Sequence, residues 1–467
     1  MSGAGTSGTG TSGAAAQSFL DEIQSSFGVP RGTAVFTGDV SMLSNYAMTD
    51  LGSAAFAAVG LAVAELAQTE PTVTVDRTLA TGWFHRASKA LNPGAPRPGF
   101  NGMSRDFPTA DGRFVRFQAN YPHLRAAALA ALGTSDDPAA ITAVTARLTG
   151  EEIEDLVVTA GGAVGASRTR EEWLAHPQGI AVSAEPVALI DVLGESADRG
   201  WRPTPGRPLA GIRVLDITRV LAGPISTRTL AAYGAEVLHL DPAGYDEPMG
   251  IGNGDLMLGK RNARLQLETA EGRERFLELL AGADILVHGL RADALERLDL
   301  GEQVRADVRP GLVEVTLNAY GWSGPWVNRR GFDTVVQASN GMAMAGAAWA
   351  GQDAPYRWPL SILDHATGYL MAAAAVRGLT RRRAEGVGSR TRFSLARTAE
   401  LLCDYGAGPD EAVLELPIDG PWDPRIASGP NGPAHRLMPP LVVPGAEFSF
   451  DRPGDPFRTS TPVWIGV

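Results

Sequence analysis

The sequence predicts an α/β protein in which a doubly wound, Rossmann-like parallel sheet follows a small α+β domain. One observation is a compact stretch of turn signals, a strand and amphipathic helices in the first half of the chain. The other is a later alternation of helices with short apolar strands, namely Ile212–Asp216, Glu236–Leu240, Asp284–Val287 and Leu312–Leu317. Because ligands of parallel sheets bind at the carboxyl ends of the strands, we expect the functional site at that edge.

The first residues, 1–17, are almost all Ser, Gly, Thr and Ala, and this composition predicts a disordered tail. A helix is predicted over Ser18–Phe27 and a second helix, rich in small residues, over Gly52–Gln68. Pro71 ends the second helix, and the β-branched alternation of Thr72–Val75 predicts a strand.

Residues 91–190 are predicted to form the small α+β domain. It opens on Asn92–Asp106, a stretch rich in Pro, Gly and Asn that indicates a linker or a functional loop. Phe114–Gln118 is predicted as a strand and Pro122–Leu132 as a helix, followed by two more amphipathic helices. Residues 191–209 are again rich in Pro and predict a linker.

Residues 210–405 are predicted to form the large Rossmann-like domain. Besides a helix that follows the first strand and ends near Ala232, its helices are predicted over Glu271–Ala281, Ala292–Leu298 and Ala366–Arg383. The remaining residues, 406–467, are dense in Pro and Gly and predict extended segments that wrap over the surface.

Composition excludes several classes of function. The net charge of −11 argues against general binding of nucleic acids. A single cysteine, Cys403, excludes a disulfide framework within the chain and a metal site built from several cysteines. We see no signal peptide and expect no membrane-spanning segment, so a cytoplasmic location is the expectation.

Six short motifs in the second half of the chain resemble, in order and spacing, those of family III CoA-transferases. The motifs are Arg213-Val214-Leu215-Asp216 with Val220-Leu221-Ala222-Gly223-Pro224, Tyr233-Gly234-Ala235-Glu236-Val237, Gly259-Lys260-Arg261, Ala283-Asp284-Ile285-Leu286-Val287, Gly331-Phe332-Asp333 with Gln337-Ala338-Ser339, and Asp364-His365-Ala366-Thr367-Gly368. Thr109–Leu132 and Arg168–Ile180 resemble the small domain of this family, which here precedes the large domain.

The resemblance implies that Asp364 is the nucleophile of an enzyme that moves CoA between an acyl-CoA donor and a carboxylic acid acceptor, through an aspartyl-CoA thioester. No metal and no cofactor beyond CoA as a substrate is implied. Without the resemblance, Asp364 is predicted to be an ordinary helix N-cap. His365 is interpreted as a bystander, because its neighbouring position points it elsewhere.

The resemblance also implies residues that bind CoA: Val220, Leu221, Ala222, Lys260, Arg261 and Arg330. CoA carries three phosphates, so a basic rim is expected. The alternative is that the three cations are solvated surface charges. The loop Pro93–Asn101 is a candidate for the family's glycine loop over the active site. Family members form homodimers, so a homodimer is implied as well.

Three positions depart from the family pattern. Leu221 stands where the oxalate-type members have glutamine, and this favours a larger apolar acyl group over a small polar acid. His288-Gly289 replaces a common Glu-Asn pair. Phe332 occupies the position of the base of the family's racemases, which need a base and an acid at the α-carbon.

The alternatives are an acyl-CoA racemase or epimerase, a catalytically degenerate CoA-binding protein, and a dinucleotide-dependent oxidoreductase. The last is disfavoured because the first strand of the large domain is not followed by a G-x-G-x-x-G turn.

The unusual domain order suggests an internal repeat. Gly52–Ala80 can be aligned with Gly368–Ala396 without a gap. Residue 52 then matches residue 368 and residue 80 matches residue 396, an offset of 316. We therefore hypothesise that residues 18–90 are a remnant of a second large domain. Under this offset Met48 stands where the second copy has Asp364, so the first copy would have no nucleophile.

Overall fold

The computed structural model describes residues 13–85, 87–91, 102–196, 200–242, 253–408, 412–429, 432–455 and 458–465. Its strands, in chain order, are β1 (Thr33–Thr37), β2 (Val40–Met42), β3 (Thr72–Asp76), β4 (Ser88–Ala90), β5 (Asp106–Pro108), β6 (Phe114–Phe117), β7 (Val164–Ala166), β8 (Leu189–Glu195), β9 (Arg213–Ile217), β10 (Glu236–Asp241), β11 (Lys260–Arg264), β12 (Ile285–His288), β13 (Val313–Asn318), β14 (Val387–Ser394), β15 (Ala412–Leu414), β16 (Ala427–Gly429), β17 (Gly432–Arg436) and β18 (Leu441–Val442).

Its α-helices are α1 (Ala14–Phe27), α2 (Met48–Ala67), α3 (Arg77–His85), α4 (Pro122–Leu132), α5 (Pro138–Thr145), α6 (Gly150–Thr159), α7 (Arg170–Ala175), α8 (Pro177–Ser183), α9 (Ala222–Ala232), α10 (Asn253–Leu256), α11 (Ala270–Gly282), α12 (Glu302–Val308), α13 (Asp333–Ser339), α14 (Met342–Ala350), α15 (Ile362–Glu385) and α16 (Leu395–Tyr405). The helix predicted over Ala292–Leu298 is wrong in length, because only a short 3₁₀ turn, Glu296–Leu298, forms there.

The central sheet has the order β11-β10-β9-β12-β13-β14-β8, and every neighbouring pair except β14–β8 is parallel. The prediction of an α/β protein with a parallel-rich sheet is confirmed. The linker predicted over residues 191–209 is partly wrong, because β8 pairs antiparallel with β14. This edge strand has half-exposed residues and little apolar alternation, which is why its sequence resembles a loop.

Side chains alternate between two apolar layers along the central strands. Val214 and Val237 face one side and pack in the same core as residues of α2, α9 and α15. Leu215 and Leu238 face the other side and pack against Phe276 of α11. Both faces of the sheet are therefore covered, which explains why these strands are continuous apolar runs in the sequence.

The N-terminal segment is built into this core. Helix α2 packs along α15, where the rings of Phe56 and Tyr369 lie 4.0 Å apart and Glu65 forms an ion pair with Arg377. By length and mean hydropathy, 1.5, α2 could span a membrane, but 89% of its apolar window is buried within the fold. Burial against α15 accounts for this apolar composition.

The order of elements in the N-terminal segment matches that of the last part of the large domain. The helix–strand–helix unit α2–β3–α3 occupies the part of the chain that the offset of 316 lays on α15–β14–α16. The strand of each unit has a parallel neighbour: β3 of the first unit pairs with β1, and β14 of the second pairs with β13. The repeat remains a hypothesis, and Met48 is the first residue of α2.

The small domain packs α4, α5 and α6 on the antiparallel sheet β5-β6-β7, around a core that includes Phe107, Phe117 and Ile153. Buried Glu154 joins it to the large domain, because its carboxylate pairs with Arg329 at 2.7 Å after the end of β13. This contact places the small domain beside the carboxyl edge of the central sheet.

The structure corrects one prediction about the N-terminus, whereas a prediction about an internal loop stays open. Helix α1 begins at Ala14 and buries Ala15 and Ala16, so the disordered tail predicted for residues 1–17 is wrong from residue 14 onward. The loop Pro93–Asn101 lies outside the described residues. The C-terminal segment forms short strands that pair with β2, β3 and β4, and Trp464 packs against the α11 face of the sheet.

Candidate active site

Asp364 is the third residue of α15 and is 6% exposed. The interpretation of Asp364 as the cap of its own helix is wrong, because Asp333 of α13 provides the cap. The backbone N–H groups of Leu363 and Asp364 donate to Asp333 Oδ2, at 2.8 and 3.1 Å. The side chain of Asp364 is therefore available for another role.

The carboxylate of Asp364 accepts a hydrogen bond from the backbone N–H of Ala222, the first residue of α9. The positive end of the α9 dipole therefore faces the carboxylate. The turn that presents Ala222 contains Val220 with a φ of 69°, in a region that β-branched residues almost never adopt. Strained backbone of this kind is common at functional sites.

The spacing Asp-x-x-x-Gly of this motif has a physical reason. Residues four apart lie on the same face of a helix, so Gly368 lies one turn below Asp364 on the side of α9. A Cβ atom at Gly368 would lie 2.5 Å from the carbonyl oxygen of Ala222. The missing side chain lets the start of α9 approach the carboxylate.

Replacing this glycine by alanine should therefore damage the site without damaging the helix. A Gly368→Ala variant is expected to keep its helix content and to react about 100-fold more slowly with acyl-CoA, because the added methyl pushes Ala222 away from Asp364. Circular dichroism and the rate of acyl-CoA turnover measure the two effects. Gly194→Ala, on the edge strand β8 with open space around it and no positive φ, is the matched control; equal rates in both variants would contradict the packing argument.

Asp333 and Asp364 form a pair of buried carboxyl groups. Burial raises the pKa of Asp333 to about 6, although the hydrogen bonds from Asp364, Gln337 and Leu363 oppose this. Burial and the charge of Asp333 together raise the pKa of Asp364 well above its usual value. The two groups therefore titrate as one system.

Asp364 lies in the wall of a cavity of about 510 Å³. The cavity also contacts Ile217, Leu240, Gly289 and Leu317, which lie at or just beyond the carboxyl ends of β9, β10, β12 and β13. This is the edge at which the sequence predicts a ligand.

An apolar wall lies beside the carboxylate. The small domain provides Tyr121 and Leu124, and the large domain provides Val220 and Phe332. The rings of Tyr121 and Phe332 lie 6.1 Å apart at an angle of 28°. Phe332 thus places an aromatic ring, which carries no titratable proton, next to Asp333.

Arginine side chains surround the same cavity. Arg330 donates to the carbonyl oxygen of Gly161 at 2.7 Å, and the guanidinium of Arg219 lies 4.8 Å from the ring centroid of Tyr121. Arg291 and Arg297 also line the cavity, as do several leucines that include Leu265 and Leu290. Such cations and apolar surfaces suit a ligand with phosphates and an apolar arm.

The structure brings four of the predicted site residues to the cavity, Asp364, Val220, Ala222 and Arg330, and places three others, Leu221, Lys260 and Arg261, outside its lining. Lys260 is fully buried and binds Asp216 and the carbonyl oxygen of Pro224, so it is neither a surface charge nor a cavity residue. Arg261 donates to backbone oxygens of the C-terminal segment. Leu221 packs against the main core instead of the cavity, which removes its support for a large apolar acyl group.

His365 does not line the cavity. Its ring packs against Phe84 of α3, with ring centroids 5.0 Å apart. Burial, together with the charges of Arg228 and His85, lowers the pKa of His365 to about 3, so the ring is neutral. In the described part of the chain, no three His, Cys, Asp or Glu side chains lie together as metal ligands do.

Sequence reasoning missed the roles of several residues. Asp333 is part of a motif, but its cap is made to a helix 30 residues away. Tyr121, His123 and Leu124 reach the cavity from the small domain, and no local pattern indicates this. Arg291 and Arg297 follow the end of β12, where the rule for parallel sheets could have found them.

Comparison with known proteins identifies the large domain. Residues 209–413 match the model of CoA-transferase family III. The match covers less than half of the chain and begins four residues before β9. It confirms the predicted resemblance for this part of the chain and supports a transferase enzyme.

Two curated relatives illustrate the extent of the similarity. The chain is 32% identical to an acyl-CoA transferase of Fusarium pseudograminearum, over 47% of this chain and 52% of that protein. It is 28% identical to a probable fatty acyl-CoA transferase, Rv3272, of Mycobacterium tuberculosis, over 55% of this chain and 64% of that protein. A crystal structure of Rv3272 aligns with a TM-score of 0.40 at 28% identity, covering 43% of this chain and 59% of that chain. The chain thus spans about half to two thirds of the length of these relatives.

Proposed function

We propose that this chain, whose residues 209–413 form a CoA-transferase family III domain, transfers CoA from an acyl-CoA donor to a carboxylic acid acceptor by covalent catalysis on Asp364. The observation that carries this proposal is the position of Asp364. Its carboxylate lies in the cavity wall at the carboxyl edge of the sheet, against the N–H group at the start of α9.

The proposed reaction begins with attack of an Asp364 carboxylate oxygen on the thioester carbonyl of the donor. The C–S bond breaks, CoA leaves as the thiolate, and a mixed anhydride remains on Asp364. The thiolate then attacks the carbonyl carbon of Asp364, which releases the donor acid as a carboxylate and leaves an aspartyl-CoA thioester. The acceptor carboxylate attacks this thioester, and the same steps run in reverse to release acceptor acyl-CoA.

Two features of the site support this chemistry. Each step builds negative charge on an oxygen near Asp364, and the start of α9 points backbone dipoles at that place. Apolar side chains of Tyr121, Leu124 and Phe332 close one side of the cavity. They limit the access of water, which would hydrolyse the anhydride.

The cavity also suits CoA itself. Its leucine side chains offer apolar surface for the pantetheine arm or the adenine ring, and Arg291, Arg297 and Arg330 offer positive charge for the phosphates. Racemase chemistry is disfavoured at this site, because Phe332 cannot take a proton from an α-carbon.

Mass spectrometry of the wild-type protein tests the proposal. The protein is incubated separately with acetyl-CoA, succinyl-CoA and octanoyl-CoA, and is then quenched and digested. We expect a CoA adduct on the peptide that contains Asp364 with at least one donor, and we expect hydroxylamine to remove it, since thioesters of carboxylic acids react with hydroxylamine. An adduct confined to another peptide, or α-carbon exchange with solvent deuterium and no adduct, would contradict the proposal.

A further inference from the structure

Asp216 is a fully buried carboxylate that joins both sides of the turn between β9 and α9. On the strand side it accepts hydrogen bonds from the backbone N–H and the hydroxyl of Thr218, at 2.9 and 2.6 Å. On the helix side it accepts one from the hydroxyl of Thr227, at 2.5 Å. One side chain thus fixes the distance between the end of the strand and the body of the helix.

Lys260 of β11 adds a second connection. Its Nζ atom lies 3.2 Å from Asp216 Oδ2 and donates to the carbonyl oxygen of Pro224, in the first turn of α9, at 2.9 Å. Burial lowers the pKa of Lys260 to about 8, and the charge of Asp216 opposes this, so the cationic form predominates at neutral pH. His239 Nδ1 lies 3.1 Å from the same carboxylate.

The turn held by this network is strained. Val220 has a φ of 69°, which costs free energy and persists only where the surroundings enforce it. The chain also passes very close to itself, because a Cβ atom at Gly223 would lie 2.3 Å from Cβ of Thr218. A turn of this kind relaxes when its anchors are removed.

We propose that Asp216 and Lys260 are positioning residues that hold the β9–α9 turn in the conformation that brings the N–H group of Ala222 to the carboxylate of Asp364. Lys260 thus contributes to catalysis without contacting CoA. The inference rests on the proposed role of Asp364, and it assigns a function to a lysine whose motif suggests a CoA ligand.

The first test compares Lys260→Met with Arg305→Met. Arg305 is the matched control, because it is also a buried cation paired with a buried carboxylate, Glu314 at 2.9 Å, and it does not contact the turn. We expect kcat of Lys260→Met to fall about 100-fold with KM for acyl-CoA unchanged, and kcat of Arg305→Met to stay near the wild-type value. A raised KM with unchanged kcat would make Lys260 a CoA ligand, and equal losses in both variants would make it merely structural; either result overturns the inference.

A milder pair of variants guards against misfolding of Lys260→Met. Thr227→Val removes one hydrogen bond to Asp216 and keeps the side-chain shape, whereas Thr227→Ser restores the hydroxyl. We expect kcat to fall in the valine variant and to recover in the serine variant. Loss of kcat in both would overturn the role of the hydrogen bond.

Hydrogen exchange separates this inference from the proposed function. The peptide that covers residues 218–223 should exchange faster in Lys260→Met and Thr227→Val than in Arg305→Met, whether or not the protein acts on acyl-CoA. If the wild type forms no adduct on Asp364, the proposed function fails, while faster exchange still supports the anchoring of the turn. Unchanged exchange at residues 218–223 overturns the anchoring itself.

Discussion

An Asp364→Asn variant is expected to form no CoA adduct and to lose at least ~10³-fold in the rate of CoA transfer, while it still binds CoA. The amide has nearly the volume of the carboxylate but cannot attack a thioester. The hydrogen bonds that cap α15 use the backbone N–H groups of Leu363 and Asp364, so they do not depend on the side chain. Mass spectrometry of the digested protein measures the adduct, and calorimetric titration with CoA measures binding.

Asp353→Asn is the control for this experiment, because it makes the same chemical change at an exposed carboxylate outside the cavity. It should retain both the adduct and the rate. If Asp364→Asn retains the wild-type rate, or if its adduct moves to another residue at that rate, Asp364 is not the nucleophile. Loss of CoA affinity in Asp364→Asn alone would instead indicate a role in binding.

The sequence predicts the central sheet and the edge that carries the cavity well, for a physical reason. The strands around β9 are buried on both faces, so their sequences are short apolar runs such as Val214–Leu215 that are hard to mistake for helices. Ligands of parallel sheets bind at the carboxyl ends of the strands, and this rule locates the cavity without any knowledge of side-chain positions. Val220 and Ala222, which the resemblance implies as CoA-binding residues, lie in the turn at this edge and line the cavity.

Lys260 and Arg261 show where this reasoning fails. A lysine in a turn motif is ordinarily a surface charge, because burying an unpaired ammonium group is costly. Here the partner that permits burial is Asp216, 44 residues earlier in the chain and two strands away in the sheet. Lys260 is on a buried face of β11. The sequence of one strand does not reveal that a buried carboxylate of another strand lies next to that face.

The prediction that Asp364 caps α15 fails for a related reason. Local sequence makes Asp364 the natural cap, because it is an acidic residue near the start of a helix. The actual cap is the side chain of Asp333, which belongs to α13 and meets α15 only in the folded chain. Contacts of this kind depend on tertiary packing, and it is this contact that leaves Asp364 free to face the cavity.

Replacing Asp333 by asparagine is expected to shift the acid limb of the pH–rate profile to lower pH by about one unit or more. The nucleophile must be a carboxylate, so the rate rises as pH rises through the pKa of Asp364. Burial and the negative charge of Asp333 both raise that pKa. Removing the charge leaves burial alone, so the pKa of Asp364 falls and the variant becomes relatively faster in mildly acidic solution.

The asparagine variant can keep the structure of the wild type. Its amide oxygen can accept the hydrogen bonds from the N–H groups of Leu363 and Asp364, and its NH₂ group can donate to Gln337 once that amide has flipped. Asp333→Ala removes the charge and the cap together. It should show the same pH shift and, in addition, a loss of about 0.5–2 kcal/mol in the free energy of unfolding.

Stability measured against pH provides the independent check. The folded-state pKa values of both carboxyl groups are raised, so the folded state favours their protonated forms and loses stability as pH rises from the unfolded value of 3.8 through about 6 and above. Asp333→Asn should reduce that loss, so its unfolding temperature relative to the wild type should be higher at pH 8 than at pH 4. An unchanged acid limb together with an unchanged pH dependence of unfolding would show that the charge of Asp333 does not act on Asp364. Asp333 would then act only as the cap of α15 and would not tune the pKa of Asp364.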